Sequence, residues 1–307
     1  MRYTPVPMRA SPILLPILAL PLVLLTGCLT MRPFSEVRRE IPEERFVRVG
    51  GQLVHVEQTG TGEPLVLLHG FGASTYAWRK VAPGLAESFR VIAIDLNGFG
   101  YTQRPAARES YTPEGQVEMV LGTLDALGVE QAHFAGHSYG GALTLRLAVG
   151  HPERVRSMVL VDSAAPTYPD DRRSRAASLR PLNALFLRTF ALRERMIRKA
   201  LERVYYDDSL VTPEVTRAYL ERLKIEGMGD AYYGLTAPRP PSPPIDLAKI
   251  DIPALVIWGA DDLLIKVDDG RRVSALLPRS PSWCSRRPAT HRWKSGRKRC
   301  CNSRCPS

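Results

Sequence analysis

The sequence predicts an α/β fold: a mostly parallel sheet with helices on both faces and an inserted helical cap. Three observations carry this expectation. Five short runs are apolar without alternation, namely PLVLLHG (Pro64 to Gly70), VIAID (Val91 to Asp95), HFAG (His133 to Gly136), MVLVD (Met158 to Asp162) and PALVIWG (Pro253 to Gly259). Strands covered on both faces read this way and belong in a parallel sheet flanked by helices. Segments with helical spacing lie between them, around Tyr76 to Ser88, Glu114 to Leu127 and Gly140 to Val149, so the chain repeats a βαβ unit. Residues 165–247 break that rhythm with amphipathic helical stretches and close on the Pro-rich PRPPSPP, as an insertion set on the sheet's edge does.

From the N-terminus, Arg2 and Arg9 precede the apolar run Ile13 to Leu25, which holds Pro16 and Pro21. That run is shorter than the ~20 residues a spanning helix needs and suits a signal peptide. It ends in Leu25-Thr26-Gly27-Cys28, which resembles a bacterial lipobox; the resemblance implies lipid on Cys28 and a protein held at the cell envelope. Residues 1–27 are thus expected to be a lipoprotein signal peptide and 28–44 a polar tether. Residues 45–164 and 248–279 form the expected core, which opens on RFVRVGGQLVHVEQTG, a β-hairpin about Gly50-Gly51. Residues 165–247 are the cap. Its arginines (Arg188, Arg193, Arg195, Arg198, Arg203) read as a solvated helix face. Its apolar stripe (Leu182, Leu185, Phe186, Phe190) suits either core packing or a pocket for an acyl or aromatic group.

The 307 residues carry a formal charge of +11, but residues 280–307 alone hold eight Lys or Arg and no Asp or Glu. The rest of the chain is close to balanced, so its composition argues against a nucleic-acid partner. Four of the five cysteines also lie in that tail (Cys284, Cys300, Cys301, Cys305), without the C-x₂-C pairs of a zinc site, and neither a metal nor an organic cofactor is expected.

The motif that carries chemistry is Gly136-His137-Ser138-Tyr139-Gly140, directly after a strand and directly before a helix. A strand, G-x-S-x-G and a helix together make a nucleophile elbow, where the serine's neighbours two residues away are small so that strand and helix approach. A serine nucleophile also needs an oxyanion hole, a base and an orienting acid. His69-Gly70-Phe71-Gly72 follows one strand, and Trp258-Gly259-Ala260-Asp261-Asp262 ends another.

With these motifs, and with Asp95-Leu96-Asn97-Gly98-Phe99-Gly100, the chain resembles the α/β-hydrolase superfamily from about Phe46 to Pro278. The resemblance implies a serine hydrolase that cleaves carboxylic esters of small molecules through an acyl-enzyme. Ser138 would attack, the Phe71 and Tyr139 amides would hold the oxyanion, and Asp262, three residues after Gly259, would orient the base. Asp95 is expected to be a structural loop residue. A serine at the elbow argues against haloalkane dehalogenases and epoxide hydrolases, but leaves open a cofactor-free haloperoxidase or a C–C bond hydrolase. The family's order of Ser, Asp, His leaves His291 as base, because every other histidine precedes Asp262.

The surroundings of His291 depart from the family, which has an apolar strand, Gly-His and an amphipathic helix there. SPSWCSRRPATHRWKSGRKRCC has no acid and no periodicity, as a GC-rich gene gives when read out of frame. GC-rich codons chosen from Pro281, read two nucleotides further on, restore a strand, a Gly-His and a helix start, so a frameshift near Arg279 to Ser282 is expected. A catalytically dead, membrane-tethered binding protein that keeps the fold is the rival reading.

Overall fold

The computed structural model describes residues 31–164, 193–236, 245–262 and 264–280, and the backbone of 282–285. Cys28, His291 and the cap stripe Leu182 to Phe190 lie outside the described residues. Eight strands form one sheet: β1 (Phe46–Val49), β2 (Gln52–Thr59), β3 (Glu63–Leu68), β4 (Phe89–Ile94), β5 (Ala132–His137), β6 (Val155–Val161), β7 (Ala254–Gly259) and β8 (Ser282–Ser285). Their order is β1-β2-β4-β3-β5-β6-β7-β8. β1 with β2 and β2 with β4 are antiparallel, and every later pair is parallel.

The unbroken apolar runs are explained by what covers each face. Along β3, Leu65 and Leu67 join Val91, Ala93 and Ala135 under Trp78, Ala82 and Leu85, the last two in the short α1 helix-turn (Ala82–Leu85). Val66 and Leu68 point the other way, with Ile92, Ile94, Phe134 and Leu160. That face packs against Val117, Val120 and Leu124 of α2 (Pro113–Ala126), Leu143 and Leu147 of α3 (Tyr139–Gly150), and Val273 of α4 (Val267–Leu276). Four consecutive buried side chains on β3 contribute roughly 6–12 kcal/mol by area, as much as a whole domain's margin of about 5–15 kcal/mol. The central strands therefore fix the frame on which the loops sit.

The expected helix over Tyr76 to Ser88 is instead two short pieces, Thr75–Trp78 and Ala82–Leu85, with Pro83 inside the second. The stretch read as a tether is docked. Residues Phe34–Glu40 form a helix, α0 in chain order before the sheet, that buries Val37, and Phe34 meets Phe46 edge to face at 6.2 Å. Ahead of it, Arg32 N donates to Lys224 O at 2.8 Å and Glu226 N to Arg32 O at 2.9 Å.

The described part of the cap holds α5 (Glu194–Glu202), α6 (Pro213–Leu223) and α7 (Met228–Thr236). α5 and α6 share a small core of Leu201, Val211 and Val215. Two glycines seat α7 on the sheet's loops. A Cβ at Gly98 would lie 2.9 Å from Leu235 Cδ1, and one at Gly234 would lie 2.5 Å from Tyr111 Cδ2, so both positions need the missing side chain. Among the described residues no helix is long and apolar enough to cross a membrane. Four residues at the start of the basic tail, Ser282–Ser285, extend the sheet beside β7, with Trp258 opposite Cys284.

Candidate active site

The chain leaves β3 toward β4 on one side and leaves β5 toward β6 on the other, although β3 and β5 are neighbours. The loops after these two strands therefore diverge from a common point at the C-terminal end of the sheet, where open α/β sheets hold their ligands. Both sequence motifs fall there.

Ser138 sits between β5 and α3 with φ 51° and ψ −113°, a conformation an L-residue adopts only under constraint. Its N–H donates to Val161 O at 3.0 Å, and its carbonyl accepts from Gly141 N at 3.0 Å and Ala164 N at 3.0 Å, so the turn is held from both sides. The flanking glycines are required by contact. A Cβ at Gly136 would lie 2.5 Å from Gly140 O, one at Gly140 would run into the Leu68 carbonyl, and one at Gly141 into Ser163 Oγ.

The loop after β3 comes up against the serine. A Cβ at Gly70 would lie 3.2 Å from Ser138 Cβ and 2.9 Å from His137 Nδ1, which places Gly70 and the Phe71 peptide beside the elbow. Phe71 is half exposed, and its ring meets Phe99 at 5.2 Å and Tyr139 at 6.5 Å, edge to face. Tyr139 opens α3 directly after Ser138.

His69 shapes this loop. It is fully buried; its Nε2 accepts from Leu96 N at 3.0 Å and its Nδ1 donates to Gly70 O at 2.8 Å. Burial holds its pKa below the usual histidine value, with the nearby Asp95 charge opposing, so the ring is neutral and both nitrogens are engaged. His137, beside Ser138 in sequence, is also lowered chiefly by burial, while Asp162 and Asp262 pull it upward.

Asp262 stands at the turn after β7. Its Oδ1 accepts from Leu264 N at 2.7 Å and Ile265 N at 3.0 Å, and its own N–H donates to Gly259 O at 3.3 Å. Trp258 fixes the same turn from inside, donating Nε1–H to Ile265 O at 3.0 Å. Asp95 is wholly buried and binds His55, Thr75 N and Tyr101 N, as a structural loop residue does. Sequence reasoning passed over Asp162, half-buried at the end of β6 with φ 42° and bonded through Oδ1 to Gly259 N at 2.7 Å. A strand run closing on Asp was its one visible signal. Among the described residues no group of three or more His, Cys, Asp or Glu is placed to hold a metal ion.

Residues 63–286 match the family described as the alpha/beta hydrolase fold. Over 128 residues, 41% of this chain and 45% of the relative, the sequence is 44% identical to a 2-hydroxymuconate semialdehyde hydrolase of Pseudomonas sp. strain CF600. Over 243 residues, 76% of this chain and 84% of the relative, it is 32% identical to a 2-hydroxy-6-oxo-2,4-heptadienoate hydrolase of Pseudomonas putida F1. A solved meta-cleavage product hydrolase of Pseudomonas fluorescens IP01 superposes with a TM-score of 0.66 at 29% identity, covering 78% of this chain and 88% of that one. The serine turn, the loop beside it and the match over most of the sheet make this chain a member of the α/β-hydrolase fold family.

Proposed function

We propose that the protein is a serine hydrolase that cleaves a carbon–carbon bond next to a ketone, in small 2-hydroxy-6-oxo-dienoate-type substrates. The strained Ser138, held beside the Gly70–Phe71 peptide, carries the hydrolytic part of this reading. The relatives named for meta-cleavage products support the C–C bond over the ester first expected from sequence. Ser138 Oγ adds to the ketone carbonyl, and the Phe71 and Tyr139 amides stabilise the oxyanion. Collapse breaks the C–C bond, the departing carbon takes a proton from the base, and water then releases the acid from the acyl-enzyme. The roles of base and acid fall to His291 and Asp262. Lipid on Cys28 would hold the enzyme at the cell envelope, which a mass shift lost in Cys28→Ser tests.

Purified protein should hydrolyse 2-hydroxy-6-oxohepta-2,4-dienoate, followed by loss of its absorbance, faster than a p-nitrophenyl ester. Ser138→Ala should abolish both activities. Preference for the ester would overturn the C–C assignment, and an inert wild type the enzymatic one.

One observation favours a second reading, a catalytically dead binding protein. The family match ends at residue 286, five residues before His291. Resequencing the gene across the codons for Leu276 to Cys305 separates the two. A restored frame ending in strand, Gly-His and helix gives a complete triad, whereas the tail as it stands rests everything on His291.

A further inference from the structure

Only two non-glycine residues among those described have positive φ, Ser138 and Asp162, and the backbone joins them. Ser138 N donates to Val161 O and Ala164 N donates to Ser138 O, both at 3.0 Å, so the residues on either side of Asp162 clasp the serine. On its other side Asp162 N donates to Ile257 O at 3.0 Å, and Asp162 Oδ1 accepts from Gly259 N at 2.7 Å. Gly259 in turn receives the Asp262 N–H on its carbonyl. A Cβ at Gly259 would lie 3.7 Å from Asp162 Oδ1 and 3.8 Å from Asp262 Cβ, which puts both carboxyl-bearing side chains beside that glycine.

We propose that Asp162 is a positioning residue whose left-handed backbone and side-chain oxygen hold the Ser138 turn and the Gly259-to-Asp262 turn in one register. Its importance for catalysis rests on the serine hydrolase reading, but the register does not. β6 and β7 are parallel neighbours, and their backbone pairing stops at Val161 opposite Ile257. Beyond that point the ladder offers Gly259 N no partner from β6, and the Asp162 side chain supplies one. The left-handed turn at Asp162 is what frees its carboxyl to reach across while its own N–H stays on Ile257. Strain of this kind persists where surrounding bonds over-determine it, and here four backbone or side-chain bonds do so.

Three full-length variants separate acceptor, charge and backbone. Asp162→Asn keeps an oxygen acceptor and tolerates positive φ; Asp162→Gly keeps the backbone and loses the acceptor; Asp162→Ala loses both. Two readouts are taken: hydrogen exchange at the Gly259 amide, and the second-order rate at which a fluorophosphonate labels Ser138. Asp162→Gly should speed Gly259 exchange and slow labelling by roughly tenfold each, the scale of one buried hydrogen bond left unmade. Asp162→Asn should limit both changes to about threefold, and Asp162→Ala should exceed the glycine variant. Glycine-variant exchange equal to wild type, or an asparagine variant as impaired as the glycine one, overturns the proposal. If the wild-type serine does not label, the hydrolase reading falls, and Gly259 exchange alone still decides the register.

Discussion

The Asp95 carboxylate meets His55 Nδ1 at 2.7 Å, and both side chains are closed off from water. Asp95 also accepts from Thr75 N at 2.6 Å and Tyr101 N at 2.8 Å, so one carboxylate ties β2 to the loops after β3 and β4. Burial works to raise its pKa, but the His55 charge, the His55 hydrogen bond and the Thr75 N–H together outweigh that and hold it well below the usual carboxylate range. Gly100 is required beside it, since a Cβ there would fall on the carboxyl group itself.

Asp95→Asn should therefore cost about 3–5 kcal/mol at neutral pH, because an amide presents a donor to at least one of three donors and breaks a buried pair. The sign follows from linkage. A depressed folded-state pKa contributes stability that is fully present above the unfolded value of about 3.9 and lost as pH falls through the folded one. The gap between wild type and variant, measured by urea unfolding, should narrow as pH falls below about 4.

His69 gives the opposite-looking but related result near neutrality. Its folded-state pKa is lowered by burial, so above about pH 6.5 both folded and unfolded rings are neutral and no pH dependence arises. Below that, the unfolded ring binds a proton that the folded one refuses, and stability should fall by up to about 1.4 kcal/mol per pH unit until the folded pKa is reached. His69→Gln can keep the acceptor for Leu96 N and should flatten this slope while lowering stability at pH 7. His137, lowered by burial as well, retains its own share. Unfolding free energy measured between pH 7.5 and 5 checks the difference, and an unchanged slope in the variant refutes the assignment.

How much of this was legible in the sequence depends on range. The five apolar runs located their strands to within three residues because burial on both faces writes itself locally, and Gly50-Gly51 announced the hairpin in the same way. The elbow was legible because its glycines are imposed by contacts four residues apart, as Gly136 with Gly140 shows. His55 and Asp95 are 40 residues apart and Asp162 and Gly259 are 97 apart, so neither pair leaves a periodic trace. Val37 is buried amid charged neighbours in FSEVRRE, which reads as polar tether until the body it docks on is known. Expecting a helix at Tyr76 to Ser88 gave too little weight to Pro83.

The cap's attachment makes a further prediction. The part-buried Arg104 guanidinium donates to Gly100 O at 2.9 Å, to Thr102 O at 2.6 Å and, across the chain, to Arg222 O at 2.8 Å near the end of α6. Burial brings its pKa down to about 10, so it keeps its charge at neutral pH and favours the carbonyl end of that helix. Arg104→Met should cost about 2–3 kcal/mol, the scale of hydrogen bonds to a charged group. Limited proteolysis should then cut residues 203–212 before the core, with no change in this pattern between pH 6 and 8. Simultaneous cutting of core and cap would show that Arg104 supports the whole domain instead.

Ser138 and His291 supply the last test, because they separate a working triad from a folded remnant. Ser138→Ala should remove fluorophosphonate labelling completely and cut turnover by a factor on the order of 10⁴ to 10⁶. Its melting temperature should hold, since the alanine keeps the backbone bonds to Val161, Gly141 and Ala164. If the tail delivers the base, His291→Ala should slow labelling at least a thousandfold, also without changing stability, because no other histidine follows Asp262. His69 cannot substitute, with both ring nitrogens committed to Gly70 and Leu96. A His291→Ala protein that labels at the wild-type rate would mean that the tail contributes nothing to Ser138, whereas a wild-type serine that does not label would put the binding-protein reading in place of the enzyme.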